Sequence, residues 1–198
     1  MPKPDKRSAT PLRNPLGKFW LHAFQFGDRE HAALVFGTPH ELREPPLVRI
    51  QSACLTGVAF HSVLCDCRQQ LEEAVARIVD EGAGVVLYLD QEGRGHGLVE
   101  KVAQLALIAE GADTVEAAAL RGVEGDVRSF EDARAILREL VDDAPVRLLT
   151  NNPEKMRRVT NVGIEVVERV PIETEPTDGN RAYLLVKKLH MGHLLTGV

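Results

Sequence analysis

The sequence predicts an α/β (α+β) domain, a mixed sheet flanked by helices with a strand-rich N-terminal part. Two observations carry this. Short aliphatic and aromatic runs of strand length crowd residues 16–60 and are broken by turn residues. From residue 68 onward, segments with apolar residues at helical spacing alternate with short continuous apolar runs, the order of helices packed on a sheet.

Taken in order, the start MPKPDKRSATPLRNP is basic and proline-rich and lacks the apolar stretch of a signal peptide. It is expected to be a flexible leader over 1–15, ahead of a single domain over 16–198. GKFWLHAFQF and HAALVF read as strands parted by a turn at Gly27-Asp28. LVRIQSACL (47–55) follows Pro45-Pro46 and reads as a strand that delivers Cys54 to a loop. Leu71, Val75, Ile78 and Val79 predict a helix over 68–81, stopped by Gly82. GVVLYLD (84–90) has the continuous apolar character of a buried strand, and its end carries the glycine-rich QEGRGHG (91–97), a common place for a ligand. Helices are expected over 98–110 and 130–141, a buried strand at VRLLT (146–150), then the turn Asn151-Asn152-Pro153 and another helix. IEVVERV (164–170) reads as a strand, and Leu184, Leu185, Lys188 and Leu189 place a helix in 177–195.

Bulk properties narrow the function. With 198 residues and 44% hydrophobic content the chain can fill a core, and 5% aromatics make that core aliphatic. A net charge of −5 argues against coating nucleic acid. No run of about 18 apolar residues exists, so no membrane span is expected. An odd cysteine count, three, without a secretion signal points to a reducing cytoplasm.

Those cysteines are the strongest chemical signal. Cys54, Cys65 and Cys67 combine one short arm across Asp66 with a ten-residue loop. This spacing suits a metal better than a disulfide, and three thiolates leave one corner of a zinc tetrahedron open. Two structural readings stand beside it: three buried thiols, or a closed zinc site with His61 as fourth ligand. In QEGRGHG, Glu92 can accept two N–H groups from an amidine-like edge such as guanine's, Arg94 can meet a phosphate, and Gly93 lets backbone approach a ligand closely. Asp126 and Arg128, two apart in an extended loop, set a carboxylate beside a guanidinium. Leu149-Thr150-Asn151-Asn152-Pro153-Glu154-Lys155 has the make-up of a phosphate clamp.

Together the stretches CLTG…CDC, QEGRG.GL, DTVEA, D.R, RLLTNNP.K, VERVP and MGHLL resemble the GTP cyclohydrolase II family, over roughly residues 47–195. The resemblance implies that Cys54, Cys65 and Cys67 bind Zn2+ and that a water attacks C8 of the guanine imidazole ring, with a second hydrolysis releasing formate. It implies that Arg128 attacks the α-phosphorus and expels pyrophosphate, with Asp126 as proton acceptor. Arg49, Gln70, Glu92, Gly93, Arg94, Thr114, Thr150 and Lys155 match nucleotide-contacting positions. Mg2+ would accompany the triphosphate, and the family is usually a homodimer.

The departures from the family cluster around the same residues. The family pattern before the first cysteine is R-x-H-S-E-C, whereas this chain has Gln51 and Ala53 in place of the histidine and glutamate. Val58, Leu64 and Arg68 stand where the family has aspartate, arginine and glycine. Leu105 replaces a tyrosine that lies against the base. Loss of that aromatic face removes roughly 1–3 kcal/mol of stacking. The expected outcomes are the full diaminopyrimidine product, a formamidopyrimidine nucleotide released after the first hydrolysis, or the same chemistry on another nucleotide such as UMP. A catalytically silent, zinc-stabilised nucleotide-binding paralogue is the reading from a different class. His61 and His96 flank the motifs but are assigned no role.

Overall fold

The computed structural model describes residues 2–123 and 125–198. The chain forms two compact units, Met1–Gln51, Leu71–Asp90 and Ser129–Ile172 in one, and Ser52–Gln70, Gln91–Arg128 and Glu173–Val198 in the other. Each is assembled from three separated segments, so no single boundary in the sequence divides them.

The first unit is the sheet unit. Its strands are β1 (Lys6–Asn14), β2 (Gly17–Phe26), β3 (Arg29–Phe36), β4 (Leu47–Ser52), β5 (Gly84–Leu89), β6 (Val146–Leu149) and β7 (Val166–Val170), in the order β1-β2-β3-β5-β4-β6-β7. β1, β2, β3 and β5 pair antiparallel, while β4, β6 and β7 run parallel. The sheet is therefore mixed, as the sequence predicts. Alternate residues serve opposite faces. Val48, Ile50, Val85, Leu87 and Leu148 join Phe24, Phe26 and Ala33 in one cluster, whereas Leu47, Val86 and Leu149 join Phe19 in another. Burial on both faces explains why these strands read as unbroken apolar runs. Helix α5 (Glu131–Val141) and helix α6 (Pro153–Asn161) supply Ile136, Leu137, Val141 and Val159 to the first cluster, and α2 (Cys67–Asp80) supplies Ala74, Val75 and Ile78 to the second.

The expected leader is corrected by the structure. Residues 6–14 are not frayed but form β1, paired with β2 along its whole length. Met1, the first residue of that leader, lies outside the described residues. The hairpin is closed by Asn14, whose Oδ1 accepts from the backbone of Leu16 (2.8 Å) and Gly17 (3.1 Å), an Asx turn. Pro11 is tolerated because β1 lies at the sheet edge. Its side chains are almost all exposed, so no apolar alternation announced it.

The second unit holds the one-turn helix α1 (Leu55–Val58), the start of α2, a 3-10 turn over Glu92–Gly95, α3 (Gly97–Ala109), α4 (Thr114–Arg121) and α7 (Arg181–Met191). The sequence reading assigned no helix to α4. Its signal was present: Asp113 accepts from the backbone of Val115 and Glu116, while the Glu116 side chain returns to the Asp113 N–H, a capping box. Arg121 at its far end donates twice to Glu100 of α3 (3.0 and 3.1 Å). Among the described residues no helix is long and apolar enough to cross a membrane.

Candidate active site

Cys54 heads α1, Cys65 lies in the loop that follows, and Cys67 opens α2. Their sulfurs all lie within 4.8 Å of one another, and Cys54 Sγ is 3.8 Å from Cys65 Sγ. Zinc with Zn–S bonds of about 2.3 Å sets tetrahedral sulfurs ~3.8 Å apart, so the donor set fits that ion. Gly57 is required beside them. A Cβ there would stand 2.7 Å from Cys65 Sγ and 3.0 Å from Cys54 Sγ. His61 is exposed and does not join the metal-capable group.

The protonation of the trio is unequal. Hydrogen bonds from Cys65 and Cys67, helped by Lys101 against the opposing effect of burial, hold the Cys54 thiol far below its ordinary value. Cys65 and Cys67 are pushed up, chiefly because they donate to the Cys54 sulfur. Three thiols packed this closely favour one thiolate; a divalent cation is what makes three compatible.

Asp66, between the two later cysteines, is buried and accepts from Lys187 Nζ of α7 at 2.9 Å and from Gln70 Nε2. The Lys187 ammonium also lies 4.4 Å from the centre of the Tyr183 ring, within cation–π range. Burial opposes the Asp66 charge, yet Lys187 and Gln70 hold its carboxyl below the usual range. Thus the Cys65-Asp66-Cys67 turn is fixed from the C-terminal helix.

The glycine-rich loop wraps back on the same region. Glu92 Oε2 accepts from the Leu55 N–H at 2.7 Å, and Oε1 accepts from Lys101 Nζ at 2.8 Å and from the Gly93 N–H at 3.0 Å. Lys101, from α3, also donates to Cys54 Sγ at 3.2 Å. Gly93 and Arg94 both have left-handed backbones, φ 60 and 59. Arg94 Nη2 lies 3.4 Å from Met191 Sδ, a weak acceptor that leaves the guanidinium capacity for an anion. Gly95 has φ 97, and a Cβ there would stand 2.9 Å from Val127 Cγ2. The loop can therefore close onto 126–128, where the Val127 N–H donates to Arg94 O at 3.2 Å.

Asp126 and Arg128 form a bidentate pair, Nε to Oδ1 at 2.9 Å and Nη2 to Oδ2 at 2.6 Å, with the side chains only 17% and 13% exposed. This is not the solvent-bathed pair of small consequence that two-residue spacing alone allows. Arg128 Nη1 donates to Ser52 Oγ at 3.0 Å, and Ser52 Oγ donates to Gln91 Oε1 at 3.2 Å.

Leu105 is partly buried on α3, one turn beyond Lys101, so both face one side of the helix about 6 Å apart along its axis. Thr114 Oγ1 is buried with no hydrogen-bond partner among the described residues. A buried hydroxyl left so is costly unless a ligand completes it. Gln70 is engaged with Asp66.

Arg49, Thr150 and Lys155 belong to the sheet unit. Arg49 is buried, giving Nε (3.0 Å) and Nη2 (2.8 Å) to Gln51 Oε1 and Nη1 to Leu149 O (2.9 Å). Gln51, at the position of the family's histidine, thus serves as an acceptor for the guanidinium. Thr150 Oγ1 accepts from the Asn152 N–H at 3.1 Å, and Lys155 Nζ donates to Ile50 O at 2.8 Å. Sequence reasoning missed Lys101, Ser52, Gly57 and Lys187. The one clue to Lys101 is that it is the sole basic residue of α3.

The fold is a mixed-sheet α+β arrangement, and the site combines a three-thiol, metal-capable group with a fork-paired arginine. A family model of GTP cyclohydrolase II matches residues 5–171, and the chain belongs to that family, as a hydrolase. GTP cyclohydrolase-2 of Shewanella baltica (strain OS155 / ATCC BAA-1091) is 44% identical over 187 residues, covering 93% of this chain and 91% of the relative. The protein of the same name from Shewanella halifaxensis (strain HAW-EB4) is 42% identical over 191 residues, 96% of this chain and 90% of the relative. Among solved structures, a two-domain 3,4-dihydroxy-2-butanone 4-phosphate synthase from A. baumannii is similar with a TM-score of 0.47 and 17% identity, over 85% of this chain and 40% of that one.

Proposed function

We propose that the chain opens the imidazole ring of GTP by hydrolysis and releases pyrophosphate, with Zn2+ held by Cys54, Cys65 and Cys67. The carrying observation is the trio of sulfurs within 4.8 Å of one another. Zinc, when bound there, supplies the Lewis acidity that makes water an effective nucleophile near neutral pH.

The chain's own residues do the rest. Arg128 attacks the α-phosphorus through a guanidinium nitrogen, the bond from that phosphorus to the bridging oxygen breaks, and pyrophosphate leaves; water later cleaves the P–N bond so formed, releasing the nucleotide monophosphate product and freeing Arg128. The proton from that nitrogen passes to Asp126, whose Oδ2 is 2.6 Å from Nη2, hydrogen-bond reach for a general base. Ser52 holds Nη1 and so limits rotation of the guanidinium. Arg94 and Gly93 are assigned to the nucleotide phosphates and ribose side. Thr114 Oγ1 awaits a hydrogen bond, which the nucleotide provides. Glu92 uses three of its roughly four acceptor positions internally, leaving about one for a base N–H. Gln70, Arg49, Thr150 and Lys155 are assigned nucleotide contacts on the family resemblance. Mg2+ is proposed to travel with the triphosphate, and a cytoplasmic homodimer is the assembly proposed.

A second reading is favoured by Leu105. It lies one turn from Lys101 and supplies apolar cover without a stacking face or a hydroxyl to position water. On this reading the reaction stops after the first hydrolysis. Product analysis from GTP with zinc and magnesium decides. Formate and pyrophosphate together identify the full reaction; pyrophosphate without formate identifies the formamidopyrimidine product. GTP left intact while UMP or another nucleotide is consumed identifies a switched substrate, and nucleotide bound but never altered identifies the silent paralogue. Arg128→Ala is expected to abolish pyrophosphate release, and release at the parental rate would remove Arg128 from its role. Leu105→Tyr is expected to shift the product ratio toward the diaminopyrimidine.

A further inference from the structure

Lys101 is not among the residues that the family resemblance assigns to metal or nucleotide, yet it makes the closest contact that any cation makes with the thiol trio among the described hydrogen bonds. Its ammonium is 3.2 Å from Cys54 Sγ and 2.8 Å from Glu92 Oε1, and the Lys101 and Glu92 side chains are only 18% and 10% exposed. The contact is not an accident of a swinging side chain. Glu92 is itself pinned by the backbone N–H of Leu55 and of Gly93, and Leu55 is the residue after Cys54. The path Cys54 sulfur, Lys101 ammonium, Glu92 carboxylate, Leu55 N–H closes back on Cys54. Gly93 makes room for it, because a Cβ there would stand 3.2 Å from Lys101 Cβ.

We propose that Lys101 is a positioning residue of the metal site: its ammonium fixes the Cys54 sulfur as a ligand and draws electron density from it, so that the bound ion keeps more of its positive charge. The inference rests on the metal site of the proposed function. Three thiolates around a divalent ion leave a centre of net negative charge, which polarises a fourth ligand weakly. One ammonium in hydrogen-bond contact with one sulfur offsets that excess. Charge-assisted hydrogen bonds are the strong ones, and partners of this kind are how a protein adjusts a metal without touching it. Glu92 then acts through Lys101, holding the ammonium over the sulfur.

The test is the cobalt(II)-substituted protein, read by its sulfur-to-cobalt charge-transfer absorption, together with steady-state turnover of the zinc form. Lys101→Met leaves the Cys54 sulfur a stronger donor, so the band is expected to move to longer wavelength, and kcat to fall by about 10–100-fold with KM for GTP little changed. Lys101→Arg keeps the charge and is expected to keep the band nearer its original position. If Lys101→Met does not fold, Lys101→Gln carries the test, with a shift in the same direction. An unmoved band in a folded Lys101→Met or Lys101→Gln protein overturns the inference, whatever happens to turnover, because a merely structural lysine would spare the sulfur's electronic state. A wild-type protein that shows no cobalt band at all overturns the metal site itself, a separate failure.

Discussion

In the sheet unit Leu87, Leu89, Ile136 and Leu148 are wholly buried, whereas in the second unit Phe60, Val99 and Leu189 keep 73%, 87% and 67% of their surface exposed. The largest fully buried side chains among the described residues all belong to the sheet unit. Each such side chain contributes roughly 1.5–3 kcal/mol by leaving water. The second unit relies instead on partly buried ion pairs, Glu92 with Lys101, Asp126 with Arg128 and Asp66 with Lys187. Desolvation cancels much of what such pairs gain. One unit is thus held chiefly by its core, whereas a metal ion on the three thiols would be a further source of stability for the other.

The largest expected effect follows from that contrast. Stripping metal with a chelator is expected to raise amide hydrogen exchange at least tenfold in peptides from 52–70, 91–128 and 173–198, while 71–90 and 129–172 stay protected. Gly57→Ala, which would press a methyl group against two of the sulfurs, is expected to reproduce this pattern without chelator. Mass-spectrometric exchange reads both. Equal loss of protection in the two units, or none in either, would show that metal does not stabilise the second unit selectively.

Next in size is the core itself. Ile136→Ala removes a fully buried side chain from the sheet unit and is expected to lower stability by about 2–5 kcal/mol. Leu189→Ala, at an exposed position of α7, is expected to stay within about 0.5 kcal/mol. Urea unfolding monitored by circular dichroism measures both, and a large effect at Leu189 would show that the second unit hides an apolar core after all.

The same contrast governs what could be read from the sequence. The central strands were legible because burial on both faces leaves an unbroken apolar run, as in GVVLYL. β1 was not, because its exposed residues KRSATPLRN carry no alternation and only pairing with β2 makes them a strand. In the second unit helical spacing is legible in α3 and α7, whereas the short α4, TVEAAALR, shows its start only through a capping box. The residue types of that unit are legible as well. Three cysteines at short spacing, and an aspartate two residues from an arginine, announce themselves by residue type. Lys101 could not, since 47 residues separate it from Cys54, and an isolated lysine in a helix has no meaning until the chain is folded.

The smallest effects concern acid, and they fall at different pH in the two units. In the sheet unit, burial and the Arg7 guanidinium lower the pKa of His22, against a weaker pull from Glu139. The folded state therefore binds its proton less readily than the unfolded chain. Its contribution to stability is whole above about pH 6.5, the ordinary histidine value, and is lost as pH falls from there through the lowered folded value. In the second unit, burial of Glu173 is outweighed by N–H donation from Thr196 and Gly197, and its pKa is lowered as well. That contribution is whole above about pH 4.3 and is lost only as pH falls through the depressed value. His22→Gln is accordingly expected to flatten the decline in stability between pH 7 and 5, and Glu173→Gln to flatten only the decline below pH 4.5, with earlier exchange of the Thr196 and Gly197 amides. Stability curves taken by denaturant titration across pH separate the two. A Glu173→Gln protein that loses its mild-acid response, or a His22→Gln protein that keeps it, would place the first acid-sensitive contact in the wrong unit.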